Sequence, residues 1–230
     1  MKKTIAILIA LSVSACAKFD VDPRRGLAPQ SSSLIEATEN AGATTKSPTL
    51  IRIFKDSKEL ELWKMSNNGK FELVRTYDIC AFSGELGPKF KEGDRQAPEG
   101  FYSISSGQLN YNSIRFLSLN TGFPNLYDRA HNATGNSLMI HGGCDSAGCY
   151  AIEDGPIQEV FTAVRDSLKA GQKSVQLQIY PFRMSKWAMY TNSNNKNIDF
   201  WRQLKFGYDQ FEVTKKPLNV NIVKGKYVIH

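Results

Sequence analysis

The 230-residue chain predicts an α+β domain of mainly β character: a curved sheet or small sandwich, one main packed helix and a helix-bearing C-terminal extension. Three observations predict it. Short stretches alternate apolar and polar residues, one segment repeats its apolar residues at helical spacing, and the tail clusters apolar residues before a last alternating run.

The first stretch, MKKTIAILIALSVSAC, has two lysines, an apolar run from Ile5 to Val13 and small residues ending at Cys16. This is the layout of a secretory signal over residues 1–16, and it does not count as fold. The run is shorter than the roughly 20 residues a membrane helix needs, so no permanent transmembrane anchor is expected there. Val13-Ser14-Ala15-Cys16 resembles a bacterial lipobox, which would acylate Cys16 and tether the chain to a membrane. The alternative is an ordinary signal that happens to end in Ala-Cys-Ala. Ala17 in place of an aspartate resembles the arrangement sorted to the outer membrane of Gram-negative bacteria. Residues 17–46 are rich in Ser, Ala, Thr, Pro and charge without an apolar period, and read as a flexible tether. Residues 47–230 fit one domain, long enough to bury a substantial core.

LIRIFKDSKELELWKM alternates, an NNG turn follows, and FELVRTYDICAF resumes the alternation, so the domain opens as antiparallel strands joined by tight turns. FYSI at 101–104 and IRFLSL at 114–119 read as further strands. The main helix follows: Pro156 fits its first turn, Ile157, Val160, Phe161, Val164 and Leu168 share one face, and Gly171 suits its stop. SVQLQIYPF returns to the core as a strand, with Val175, Leu177 and Ile179 pointing one way. The tail carries apolar residues at 198, 200, 201 and 204 and ends in the alternating VNIVKGKYVIH.

The formal charge of +7 falls to +5 when Lys2 and Lys3 leave with the signal. Lysines and arginines are scattered, with no basic, aromatic-interleaved patch, so nucleic acid is not an expected partner. Two cysteines spaced CxxxxC beside one histidine lack the ligand set of common zinc sites, and neither metal nor cofactor is expected. Asn132-Ala133-Thr134 matches a glycosylation sequon and is read as chance in a bacterial chain.

Chemistry concentrates in SLMIHGGCDSAGCYAIEDG, residues 137–155. An apolar strand ends at His141, a glycine-rich loop follows, and Cys149 precedes the helix. Such a turn can aim several N–H groups at one point, where they would stabilise the oxyanion formed when a thiolate attacks a carbonyl. An imidazole that takes the thiol proton activates a cysteine, the role open to His141. Among three histidines, His230 is terminal and His131 remains a reserve base. On spacing alone, a buried thiol and a core histidine account for the pair equally well.

Ile140-His141-Gly142 followed by Ser146-Ala147-Gly148-Cys149 resembles the active-site motif of the L,D-transpeptidase family with the YkuD-type catalytic domain. The compact HGGCDSAGCYAIED is similar to the YafK-like branch, murein L,D-transpeptidases or endopeptidases. IRIFKDSKELELW, YDICAFSGELGPKFKEGDRQAPEGFYSI, GFPNLYDRAH, QIYPFRM and FWRQLKFGYDQFE extend the likeness over about residues 48–230. The resemblance implies a YkuD-like fold, Cys149 as nucleophile, His141 as base and the Gly142 carbonyl as the group that orients the imidazole. It places Ser146 and Gly148 beside the attacked carbonyl, with the Gly148 and Cys149 N–H groups as oxyanion donors. Many family members have Arg or Asn two residues after the cysteine; Ala151 stands here, while Tyr150 is similar to the branch. Arg129 is the expected carboxylate ligand, because a guanidinium fork binds carboxylates bidentately; its other reading is a salt bridge with Asp128. The segment leading into Pro98-Glu99-Gly100 resembles the family's substrate-side loop. Tyr150 joins Arg129 as an expected substrate contact.

In an oxidising compartment Cys80, Cys144 and Cys149 cannot all pair. A Cys80–Cys144 disulfide would leave Cys149 reduced, whereas Cys144–Cys149 pairing would switch the site off. The implied reaction is attack on the L-centre carbonyl of meso-diaminopimelate in peptidoglycan stem peptides, in the periplasm. Its outcome is release of wall-attached lipoprotein by hydrolysis. The alternatives are transpeptidation giving 3-3 crosslinks or lipoprotein attachment, L,D-carboxypeptidase trimming, and a wall-binding scaffold without activity.

Overall fold

The computed structural model describes residues 21–230, so the signal and Cys16 lie outside the described residues. The alternating start of the domain forms β1 (Thr49–Phe54), β2 (Glu59–Met65) and β3 (Phe71–Asp78), an antiparallel meander. Its second turn is made by Ser66-Asn67-Asn68-Gly69: the Asn68 carboxamide accepts the Lys70 N–H at 2.8 Å, and Gly69 takes φ +77°. Further along come β4 (Ala81–Phe82), β5 (Gly100–Ile104), β6 (Leu109–Asn110), β7 (Ser118–Asn120), β8 (Met139–His141), β9 (Tyr150–Ala151) and β10 (Val175–Tyr180). One five-stranded sheet runs β3-β2-β1-β10-β5, with β10 parallel to β1; the other runs β4-β9-β8-β7-β6, with β9 parallel to β8.

Among the described residues, five α-helices complete the frame: α1 (Ser32–Asn40), α2 (Leu126–Ala130), α3 (Asp154–Lys169), α4 (Lys186–Thr191) and α5 (Ile198–Thr214). A hairpin of β11 (Val220–Val223) and β12 (Lys226–Ile229) closes the chain. The molecule is a mixed α+β fold with the expected main helix, α3, and a helix-bearing extension. No helix among the described residues is long and apolar enough to cross a membrane.

The central strands of the first sheet are buried on both faces. Ile51, Ile53, Leu60, Leu62, Val175, Leu177 and Ile179 meet α3 (Ile157, Val160, Phe161, Val164) and the second sheet (Leu119, Ile140) in one core. Leu50, Phe54, Trp63 and Tyr180 face the opposite way, into a second core with Trp201, Leu204 and Phe211 of the extension. Polar members of the central strands, Arg52, Glu61, Lys64 and Gln178, therefore do not reach water. Arg52 is 1% exposed, hydrogen-bonded to Glu212 at 2.7 Å, with its guanidinium 4.8 Å from the Phe211 ring centre and 4.9 Å from that of Tyr208. Burying that charge is tolerable because carboxylate and ring faces replace its water.

Lys55 and Glu99 form a fully buried ion pair at 3.0 Å. The ammonium also donates to the Glu85 and Ala97 carbonyls, while Glu99 accepts the Gly87 N–H and the Trp201 indole N–H. One pair thus fixes the loop over residues 83–99 to β1 and to α5.

Two expectations are corrected here. In its described part, the expected tether is packed: Leu34 of α1 is fully buried, Arg165 donates to the Gly26 and Ala28 carbonyls at 2.7 Å each, and Lys64 donates to the carbonyl of Thr45. Isolated apolar residues there meet the back of α3, although no period announces them. The strand expected over 114–119 starts only at Ser118, because the chain turns at Phe116 (φ +68°) so that the Arg115 and Leu117 carbonyls both accept the Gly142 N–H.

Candidate active site

Strand pairing brings the motif residues together. Ile140 lies opposite Tyr150 and His141 opposite Ala151 in the parallel β8–β9 pair, so His141 and Cys149 belong to the same face of neighbouring strands. Both line one pocket of about 500 Å³, with Ser118, Met139, Arg115, Asp145 and Ser146 also on its walls. The Met139 N–H points at Cys149 Sγ at 3.4 Å.

His141 is held by its own neighbour. Its Nδ1 lies 2.7 Å from the Gly142 carbonyl oxygen, and since a carbonyl only accepts, Nδ1 carries the proton and Nε2 is the basic nitrogen. Gly142 has no room for a side chain: a Cβ would stand 2.6 Å from Asp154 Oδ1 and 2.8 Å from the Arg115 carbonyl oxygen. The orienting role implied for Gly142 matches this geometry.

Ser146 braces the turn rather than facing the pocket alone. Its hydroxyl accepts the Cys149 N–H at 2.9 Å and donates to the Cys149 carbonyl at 2.7 Å. One of the two N–H groups expected at an oxyanion is therefore engaged. The Gly148 N–H, at a residue with φ +120°, has no partner among the described residues.

Burial favours the uncharged form of both reactive groups. It pushes the His141 imidazole below its ordinary range and the Cys149 thiol above its own; the nearby Arg115 charge also lowers both. Burial of both groups works against a thiolate–imidazolium pair.

Cys80 and Cys144 are joined by a disulfide with Cα atoms 5.4 Å apart, and Cys149 is a free thiol. The bridge ties the loop after β8 to the strand end after β3, beside the turn that carries Cys149.

Arg129 and Tyr150 do not stand where substrate contacts were expected. Arg129, on α2, donates to the Pro124 carbonyl and lines a separate pocket with Phe101, Asn125 and Tyr227. Tyr150 is fully buried and its hydroxyl donates to the Pro98 carbonyl at 2.6 Å, because a residue adjacent to Cys149 in extended backbone points to the opposite face. The reserve base His131 stacks on Tyr127 at 4.2 Å, away from the cysteine's pocket. Sequence reasoning missed Arg115 and Asp145. Asp145 sits inside the motif and was legible as a neighbour; Arg115 was hidden within an apparent strand.

No family model matches the chain. Over 229 residues, 99% of this chain and 90% of the relative, it is 44% identical to an Escherichia coli (strain K12) protein whose name provisionally makes it an L,D-transpeptidase. The chain belongs to the L,D-transpeptidase family. That relative is YafK, and YafK of Escherichia coli O157:H7 matches with the same identity and coverage. Among solved structures, the helical cell shape determining protein Pgp2 of Campylobacter jejuni is similar with TM-score 0.47 and 16% identity, over 82% of this chain and 80% of that one. Bd1075 of Bdellovibrio bacteriovorus is similar with TM-score 0.38 and 18% identity, over 80% and 77%.

Proposed function

We propose that this chain is a peptidoglycan-remodelling cysteine enzyme that acts on stem peptides through an acyl-enzyme at Cys149. The observation that carries the reading is a free Cys149 thiol sharing a pocket with a histidine whose tautomer leaves Nε2 as base. His141 Nε2 takes the thiol proton as sulfur attacks the carbonyl on the L-centre of meso-diaminopimelate. The developing oxyanion is met by the Gly148 N–H. As the C–N bond breaks, the imidazolium returns the proton to the leaving amine, and a thioester remains. Water, deprotonated by the same nitrogen, then attacks the thioester and restores the thiol.

Likeness to the YafK-like branch supports water as the acceptor and a wall-attached lipoprotein as the leaving group. The lipobox-like signal supports a periplasmic location with Cys16 as a lipid anchor in the outer membrane. An amine acceptor would instead give 3-3 crosslinks, through the same acyl-enzyme.

The test incubates the soluble domain, with and without Cys149→Ala, with sacculi bearing bound lipoprotein and analyses the muropeptides by mass spectrometry. Released lipoprotein with tripeptide ends, lost in the variant, is the expected result. New 3-3 crosslinks would make it a transpeptidase, and loss of terminal D-Ala alone an L,D-carboxypeptidase. No Cys149-dependent change would overturn the enzyme reading in favour of a wall-binding scaffold.

A further inference from the structure

Two opposite charges face the Cys149 pocket, and neither is the nucleophile nor the base. Arg115 comes from the loop between β6 and β7, Asp145 from the loop after β8, and the guanidinium Nη1 meets Asp145 Oδ1 at the pocket wall. Their side chains are 42% and 62% exposed, and among the described residues neither has another side-chain partner. An ion pair this exposed is held weakly and stabilises little.

The backbones beneath these side chains are pinned. The Arg115 carbonyl accepts the Gly142 N–H at 3.0 Å, and its own N–H donates to Ser113 Oγ at 3.1 Å. Asp145 lies between the disulfide at Cys144 and the turn clamped by Ser146. Asp145 is therefore placed by the loop that joins His141 to Cys149, and Arg115 is held against that loop by the Gly142 N–H, yet both side chains can exchange partners.

We infer that Arg115 and Asp145 form a specificity clamp for a substrate side chain ending in an amino-acid head group, an ammonium and a carboxylate on one carbon. The carboxylate replaces Asp145 on the Arg115 fork, and the ammonium replaces Arg115 on Asp145. Recognition of a single charge would need one of the two residues; the pair matches a zwitterion. The inference rests on the function proposed above and deepens it, because the D-centre of meso-diaminopimelate carries this head group a few bonds from the attacked carbonyl. Three polar neighbours on the wall, Asn110, Asn112 and Ser113, supply further hydrogen-bonding groups.

The experiment compares kcat/KM on stems identical except at the third residue: meso-diaminopimelate, its D-centre carboxamide, and lysine. Wild type, Arg115→Gln and Asp145→Asn are assayed, with carbapenem acylation of Cys149 measuring that each variant folds and keeps a reactive thiol. Wild type is expected to favour the free carboxylate by about 10-fold or more, since a site built to pair a polar group rejects its absence. Arg115→Gln should erase that preference, with its loss confined to the stem bearing the carboxylate. Asp145→Asn should weaken all three stems, which share the ammonium, and be indifferent to a stem N-acetylated at that position. An Arg115→Gln loss equal on all three stems would overturn the clamp, as would wild-type acylation at Cys149 without discrimination among stems; the cysteine chemistry would stand in both cases. No acylation and no turnover of any stem would overturn the proposed function and the clamp with it.

Discussion

Burial disfavours the charged forms of both groups in this pocket, holding the Cys149 thiol above its ordinary range and the His141 imidazole below its own. Because the imidazole's value is lowered, its neutral form survives further into acid than that of an ordinary histidine. The acid limb of the pH profile for Cys149 acylation is therefore expected below about pH 6.5, the unperturbed histidine value. A limb at or above that value would show that burial does not lower the imidazole. The meeting of His141 and Cys149 in one pocket was readable from the motif, since a strand end, three glycines and a serine leave little freedom in how histidine and cysteine meet. Arg129 and Tyr150 were misread for two different reasons. Nearness of Arg129 in sequence to the active-site strand says nothing about which loop folds across the pocket, whereas the inward turn of Tyr150 follows from strand alternation and was available in advance.

At the scale of elements, the loop between β8 and β9 depends on a bond to a distant strand. The Cys80–Cys144 bridge spans 64 residues of chain, and removing a crosslink of this kind typically costs about 2–4 kcal/mol. Cys80→Ser with Cys144→Ser is expected to lower stability by about that amount in urea unfolding, and to slow acylation of Cys149 because its turn loses one of its supports. Unchanged unfolding and acylation would show that the turn is held by Ser146 and the β-ladder alone. Regular elements were legible where a period was long: α3 shows its face plainly in Ile157, Val160, Phe161 and Val164. Segments shaped by single contacts were not. Residues 23–46 carry Gly26, Leu34 and Gln30 into the fold one at a time, and a composition poor in apolar residues hides that packing. The break before Ser118 is likewise set by Gly142, from a different part of the chain.

At the scale of the molecule, two cores share one sheet, and buried charge crosses between them. Glu99 answers Lys55 on one side and Trp201 on the other, so removing its carboxylate leaves a buried ammonium without its counter-charge. Glu99→Ala is expected to destabilise the fold by about 3–5 kcal/mol in chemical denaturation. A loss below about 1 kcal/mol would show that the carbonyls around Lys55 suffice to hold its charge. Alternation in β1 and β2 announced strands but not this second core, because a polar position looks the same whether water or an aromatic ring covers it. For anyone who would trim this protein to a minimal catalyst, the sheet sets the limit. The motif lies wholly before the extension, which invites a cut after Met184. Such a cut would uncover Leu50, Phe54 and Tyr180 and strand Arg52 without Glu212. The extension is not a detachable module but one half of the sandwich, and a shortened version would have to replace a wall, not merely close a chain end.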